Sequence, residues 1–277
     1  MHLNYRIVNV FAESALAGNP LCVFEEDEAL DATTMQALAL QFNLSETTFI
    51  LPSTAATARV RIFTPTFEMP FAGHPTLGTA HVVRALGLGG EHVTLEMQAG
   101  IIPVEADGDR WTLAANAPKW RAPPATPAEL AAALGLAVGD IGAQPLWVDT
   151  GSDQLIVPVT SLDAVRRAAP DAAAMREHAS NGTWAMAYIF AREGDHVLAR
   201  FFFPKHGAVI EDPGTGSACA NLGGWLLATG APLPLRLTID QGEFVGRPCR
   251  LGLAVDASRT IRVSGRVIEI GRGTIEF

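Results

Sequence analysis

The residues best suited to chemistry gather at two glycine turns, Ala72-Gly73-His74-Pro75-Thr76 and Asp212-Pro213-Gly214-Thr215-Gly216-Ser217. The first lies in a stretch without Asp, Glu, Lys or Arg, from Phe71 to Val83, and such a stretch follows Asp212 in the second, from Pro213 to Leu235. A helix N-terminus offers N–H groups that the helix itself leaves without partners, and about half a positive charge, so it attracts anions. Glycine lets that backbone approach a ligand closely, and Pro75 suits a first helical turn, where no N–H is needed. The pair of turns therefore suggests a site for a small carboxylate; their alternative role is only to cap buried helices.

Four acids accompany the turns: Glu46, Glu68, Glu211 and Asp212. In an apolar cleft that excludes water, a carboxylate has its pKa raised and serves as general acid or base near neutral pH. Glu46 follows Ser45 just before an apolar strand, a position for a cleft edge or for an ordinary solvated turn. His74 is suited to holding a substrate or passing a proton, or to a structural capping role. Asp212 has N-capping of the helix at Ser217 as its rival role. Other motif readings fail. Gly214-Thr215-Gly216-Ser217-Ala218-Cys219 is neither a dinucleotide fingerprint nor a P-loop, having no lysine. Ser217 is not in a G-x-S-x-G elbow. Cys22, Cys219 and Cys249 form no C-x-x-C pair and read as small buried hydrophobes. No metal, nucleotide or other cofactor is expected.

The elements that must position these residues show a repeat. Arg61-Ile62-Phe63-Thr64-Pro65 resembles Arg200-Phe201-Phe202-Phe203-Pro204, and each is followed by a glutamate, Glu68 or Glu211, and then a glycine turn. Ser45–Pro52 has a looser echo in Ser152–Pro158, and Gln98-Ala99-Gly100 one in Gln241-Gly242. The offsets are 139, 107 and 143 residues, with 107 the outlier. The pattern predicts strands around Leu3–Ile7, Leu21–Phe24, Thr47–Leu51 and Arg59–Phe63, and a helix with Met35, Leu38, Ala39 and Phe42 on one face after a cap near Asp31. Further helices are predicted over 127–134, 161–168 and 171–178. Two helices, Thr76–Leu86 and Ser217–Thr229, are apolar on nearly every face and so must be buried. The expected architecture is α/β (α+β): two pseudo-symmetric halves, each a rolled mixed sheet around a central buried helix. The four prolines of 117–127 mark a linker, giving halves at 1–118 and 127–265 with the active site in the cleft between them.

The chain has 277 residues, 48% hydrophobic and 18% charged, with a net charge of −9. That composition excludes a disordered chain, and no apolar run nears the roughly 18 residues of a membrane span. The acidic balance, with no basic patch, argues against nucleic acid as a partner. The start of the chain has no signal-peptide pattern, so a soluble cytoplasmic protein without a membrane partner is expected.

The Gly18-Asn19-Pro20 turn, Asn43-Leu44-Ser45-Glu46-Thr47, Pro70–Gly78, Glu211–Ala218 and the closing Gln241-Gly242 with Gly246-Arg247 resemble the PhzF-like isomerases of phenazine biosynthesis. The resemblance runs from the first strand to the last. It implies a diaminopimelate-epimerase-like fold, a C-terminal strand 266–277 that returns to the first half, and a homodimer. It also implies cofactor-free isomerisation of trans-2,3-dihydro-3-hydroxyanthranilate. Glu46 would be the acid/base, His74, Asp212 and Ser217 would hold the substrate, and the amides of Gly73 and Gly216 its carboxylate. Racemases on this fold use two cysteines; Ala72 stands where the first would be, and Asp212 or Pro213 near the second, so two-thiol chemistry is disfavoured.

Overall fold

The structure, a computed structural model, describes residues 2–25 and 30–276. Two compact units emerge, Met1–Ala114 with Ser264–Phe277, and Ala115–Val263. In the first, β1 (His2–Val10) pairs antiparallel with β2 (Asn19–Phe24), and α1 (Ala32–Phe42) leads to β3 (Thr47–Leu51), parallel to β2. β4 (Ala58–Phe63) lies antiparallel to β3, and the short β5 (Glu68–Met69) folds back on it. α2 (Gly73–Ala85) crosses to β6 (His92–Met97), parallel to β4, followed by antiparallel β7 (Gly100–Asp107) and β8 (Arg110–Ala114).

In the second unit β9 (Lys119–Arg121) and α3 (Pro127–Leu134) precede β10 (Leu146–Asp149), which pairs with β9 and with β11 (Asp153–Pro158). α4 (Leu162–Arg167) and α5 (Ala172–His178) lead to β12 (Ala187–Glu193), parallel to β11. β13 (His196–Lys205) is antiparallel to β12, and β14 (Ala208–Asp212) folds back on it. α6 (Gly216–Ala228) crosses to β15 (Leu235–Gln241), parallel to β13, with β16 (Cys249–Val255) antiparallel beyond. The last strand, β17 (Ile261–Glu276), pairs with β1 through Val267–Glu276.

The order of antiparallel and parallel pairings from β1 to β7 is repeated from β10 to β16. Within each copy the strongest sequence landmark forms the same small structure. Glu68 faces Phe63, and Glu211 faces Phe202. Arg61 grips Glu68 through Nε and Nη2, and Arg200 grips Glu211 through the same atoms. Each guanidinium also lies over its neighbouring ring, Arg61 5.0 Å from Phe63 and Arg200 4.6 Å from Phe202. The 107-residue match is corrected: Ser152–Pro158 holds β11, the counterpart of β2, while β3 corresponds to β12. Thr47 faces Phe63 and Ala187 faces Phe202, an offset of 140 residues.

Local signals set the peripheral helices. Asp31 caps α1, Thr126 and Glu129 form a capping box on α3, and Ser161 and Asp171 cap α4 and α5. The stretch read as a linker is a strand at its centre, β9, and Arg121 anchors it to Asp153. β1 departs from simple alternation, because Arg6 is buried, paired with Glu25 at 2.6 Å and Glu269 at 2.9 Å.

Both faces of each sheet are covered, which makes the central strands nearly continuous apolar runs. In the first unit α1 covers Cys22, Phe24, Phe49 and Phe63, while α2 touches β1, β2, β3, β4, β6, β7 and β8. α2 approaches so closely that a Cβ on Gly78 would sit 2.6 Å from Leu21 and 2.9 Å from Val10. In the second unit α3, α4 and α5 pack on Leu155, Val157 and Ile189, and α6 packs against β9, β10, β11 and β16. The two helices apolar all round are thus the buried ones.

Arg200 and Glu211 are about nine-tenths buried, whereas Arg61 and Glu68 are each about one-fifth exposed. Arg200 Nη1 also donates to the carbonyls of Val165, Arg166 and Ala168, at the end of α4. Removing one partner of a buried pair strands the other charge. Arg200→Ala should therefore cost about 3–5 kcal/mol in denaturant unfolding, against about 1 kcal/mol for the more exposed Arg61→Ala. Equal costs would contradict this ranking.

Candidate active site

Glu46, Gly73 and His74 belong to the first unit. Asn43 ends α1 in the left-handed region (φ 51°), turning the chain so that Glu46 immediately precedes β3. β2 and β3 are parallel and start at the same edge, with Cys22 level with Thr47. Asn19 opens β2, and His74 is the second residue of α2. These three starts bring Glu46, Asn19 and His74 together. His74 Nε2 lies 3.5 Å from Glu46 Oε2, and the two side chains are only 8% and 16% exposed. Asn19 Nδ2 lies 3.4 Å from His74 Nδ1. An amide nitrogen can only donate, so Nδ1 accepts. A neutral His74 then carries its proton on Nε2, toward Glu46.

Asp212, Gly216 and Ser217 belong to the second unit. Asp212 ends β14, Gly216 opens α6, and Ser217 is its second residue, matching His74 on α2. Asp212 is not the cap of α6: that position is Thr215, as Ala72 is for α2, and neither cap residue makes a side-chain capping bond. The four peripheral helices are capped by side chains; the two central ones present their N-termini without one. Gly73 and Gly216 are the first residues of those termini.

The Asp212 turn is held by Gln241, a residue 1% exposed. Gln241 Nε2 donates to the Asp212 carbonyl at 2.9 Å and its Oε1 accepts from the Thr215 N–H at 3.3 Å. With both ends fixed by backbone, Nε2 also donates to Thr215 Oγ1 at 3.0 Å. Thr215 then donates its own proton to the Asp212 carboxylate. Ser217 is reached by a second chain. Asn221 Oδ1 accepts from Thr150 N–H at 2.9 Å and from Thr150 Oγ1 at 2.7 Å. Its Nδ2 donates to the Ser152 carbonyl and to Gln154 Oε1, both at 2.8 Å. Gln154 Nε2 is left to donate to Ser217 Oγ at 3.0 Å.

Asn19, Gln154, Asn221, Thr215 and Gln241 were missed as functional residues in the sequence. The available signal was an amide among apolar neighbours: Asn221 is the one strongly polar side chain within α6 beyond Ser217, and a buried amide needs partners. Glu68 and Glu211, the other two acids considered, are engaged by Arg61 and Arg200. The Arg61 guanidinium holds Glu68 below the usual carboxylate range.

Cys22, Cys219 and Cys249 are free thiols, all buried, and burial pushes each thiol well up. Among the described residues no group of three or more His, Cys, Asp or Glu could hold a metal ion, and no helix is long and apolar enough to cross a membrane.

The phenazine biosynthesis-like protein family (PhzC-PhzF) matches residues 8–273. An uncharacterized isomerase of Pasteurella multocida is 42% identical, covering 98% of this chain and 93% of that protein. The trans-2,3-dihydro-3-hydroxyanthranilate isomerase of Pseudomonas chlororaphis is 36% identical, covering 99% of both. Among solved structures, the PhzF-family phenazine biosynthesis protein of Bacillus anthracis superposes with a TM-score of 0.89 at 25% identity, over the whole of both chains. A hydroxyproline epimerase of Agrobacterium vitis, at 12% identity and a TM-score of 0.61 over 99% of this chain and 92% of that one, shares the fold alone. The expected fold class, with its epimerase-like relatives, is confirmed.

Two measurements check the site. With all three thiols buried, a disulfide reagent should label none in the folded protein and all three after denaturation; rapid native labelling would contradict the burial. Asn221→Leu leaves the Thr150 N–H, the Ser152 carbonyl and Gln154 short of a partner, so unfolding should become easier by at least about 2 kcal/mol. An unchanged unfolding midpoint would show that the network carries no stability.

Proposed function

The chain belongs to the phenazine biosynthesis-like family, and on that premise we propose that it is an isomerase moving a proton on a small carboxylated ring of the trans-2,3-dihydro-3-hydroxyanthranilate kind. One observation carries the reading: a carboxylate and an imidazole, Glu46 and His74, both largely buried and 3.5 Å apart beside the start of α2.

In this reading Glu46 takes a proton from one ring carbon and returns it to another on the same face, and the resulting enol tautomerises to a ketone. A single carboxylate can do this where water is kept away. His74, its proton on Nε2, would hold a substrate oxygen or nitrogen beside Glu46. Asp212, with Thr215 donating to its carboxylate, would engage the amino group. The amides of Gly73 and Gly216 and the hydroxyl of Ser217 would bind the substrate carboxylate, as helix N-termini bind anions. The chemistry draws on the chain's own side chains and needs no cofactor. The buried thiols weigh against racemisation by a cysteine pair.

The test is NMR of trans-2,3-dihydro-3-hydroxyanthranilate in D₂O. The wild type should consume it with deuterium entering the ring, and Glu46→Gln should slow this by roughly 10²–10⁴-fold. Turnover at the wild-type rate by Glu46→Gln would remove Glu46 as proton carrier. Binding without turnover by the wild type would point to a small-molecule binding protein, and inversion of a stereocentre to an epimerase.

A further inference from the structure

Resting on that reading, we propose that Gln154 is a positioning residue that fixes the direction of the Ser217 hydroxyl, aiming its proton away from the protein and toward the substrate. A serine hydroxyl has one proton to give and two lone pairs. Which way it points is normally free to follow its surroundings, because the rotor turns easily. Here the direction is set from outside the site.

The chain of constraint starts at two groups whose polarity cannot change. The Thr150 N–H can only donate and the Ser152 carbonyl can only accept, so Asn221 is held with Oδ1 toward the first and Nδ2 toward the second. Nδ2 also faces Gln154, whose Oε1 must therefore accept. The other end of that amide is then its nitrogen, which donates to Ser217 Oγ at 3.0 Å. Ser217 accepts on this side, and its own proton is left for a different partner. Asn221 is fully buried, Gln154 is 4% exposed and Thr150 is 7% exposed, so water does not compete for these bonds. Ser217 itself is only partly buried. The amide thus stores, at the base of α6, the information that Ser217 is a donor. A carboxylate or carbonyl oxygen on the substrate is the group such a donor fits, and a protonated amine is the group it repels.

The same length of side chain allows a test by inversion. Gln154→Glu keeps the shape and the acceptor toward Asn221, but an ionised carboxylate offers no proton to Ser217. The hydroxyl should then turn to donate to it, presenting a lone pair to the substrate. Steady-state kinetics with trans-2,3-dihydro-3-hydroxyanthranilate should show KM raised about 10-fold at neutral pH, the scale of one hydrogen bond to a charged group, with kcat changed less. As pH falls through the pKa of the introduced carboxyl, its neutral form donates again, and the ratio of the variant's KM to the wild-type KM at the same pH should fall back toward one. Ser217→Ala should raise KM by a similar factor, and adding Gln154→Glu to it should change nothing further. Unchanged KM in Gln154→Glu, or effects of the two substitutions that simply add, would overturn the proposal.

A substrate-free measurement separates this idea from the functional reading. The introduced carboxyl can be titrated by carbon NMR in folded Gln154→Glu, with and without Ser217→Ala. If Ser217 donates to it, loss of the serine must raise its pKa. No change would overturn the orientation argument, whatever the enzyme acts on. A raised pKa in a protein inert toward trans-2,3-dihydro-3-hydroxyanthranilate would uphold the positioning and sink only the substrate.

Discussion

A helix enclosed by a rolled sheet can carry a polar side chain along its length only where a partner is built into the core, as for Thr79 with Thr48 and Asn221 with Thr150, and this constraint organises the molecule. α2 and α6 have mainly apolar neighbours along their lengths; neither carries an Asp, Glu or Lys, and Arg84 of α2 lies in its last turn. Small residues, Gly78 on α2 and Gly223 and Gly224 on α6, let the sheet close tightly; a Cβ on Gly224 would lie 2.7 Å from Val148. Polar chemistry is pushed to the first turn. There the cap residues Ala72 and Thr215 make no side-chain capping bond. The outer helices, lying on the surface of their sheets, follow the ordinary rule and are capped by Asp or by Ser and Thr. The contrast ties the functional reading to the packing: along the helix burial admits only polar groups with partners in the core, and the backbone N–H groups left without a side-chain cap are at the terminus.

The internal repeat shows how one scaffold was put to two uses. The Arg–Glu grip and its ring contact persist in both copies, since each fixes a strand and its returning hairpin. The positions proposed to face the chemistry have diverged. His74 on α2 corresponds to Ser217 on α6, and Glu46, just before β3, corresponds to Met186, just before β12. An acid is kept in one copy and replaced by a thioether in the other. That asymmetry fits the proposed reaction, in which one carboxylate moves a proton along one face of a ring. It does not fit a symmetric pair of bases working from opposite faces.

Much of this frame was legible in the sequence. Caps, glycine turns and the two largely uncharged helices marked α1 to α6 within a few residues, because those signals are local. The repeat was legible where charge and aromatic pattern coincide, at Arg61 and Arg200. It was misread at Ser152–Pro158, where a serine, an apolar run and a proline are common to any buried strand. Only strand pairing distinguishes β2 from β3 as its counterpart. Of the proposed site residues, Glu46, His74 and Asp212 were singled out by their chemistry, and Ser217 by the family resemblance. Asn19, Gln154 and Gln241 were not, since an amide in a strand has no meaning until its neighbours across the sheet are known.

Those amides are costly to bury, and the form of their bonding explains their place. An apolar core at the same positions would be at least as stable if packed as well, because a buried polar group gains little net energy even when fully satisfied. What a satisfied amide adds is direction. Gln241 is fixed at both ends by backbone, and so makes Thr215 a donor to Asp212. Asn221, fixed in the same way, makes Gln154 a donor to Ser217. In both cases a group with two possible polarities is reduced to one by an amide anchored to the main chain. In the proposed function that reduction is in place before the substrate arrives, so that binding does not have to supply it.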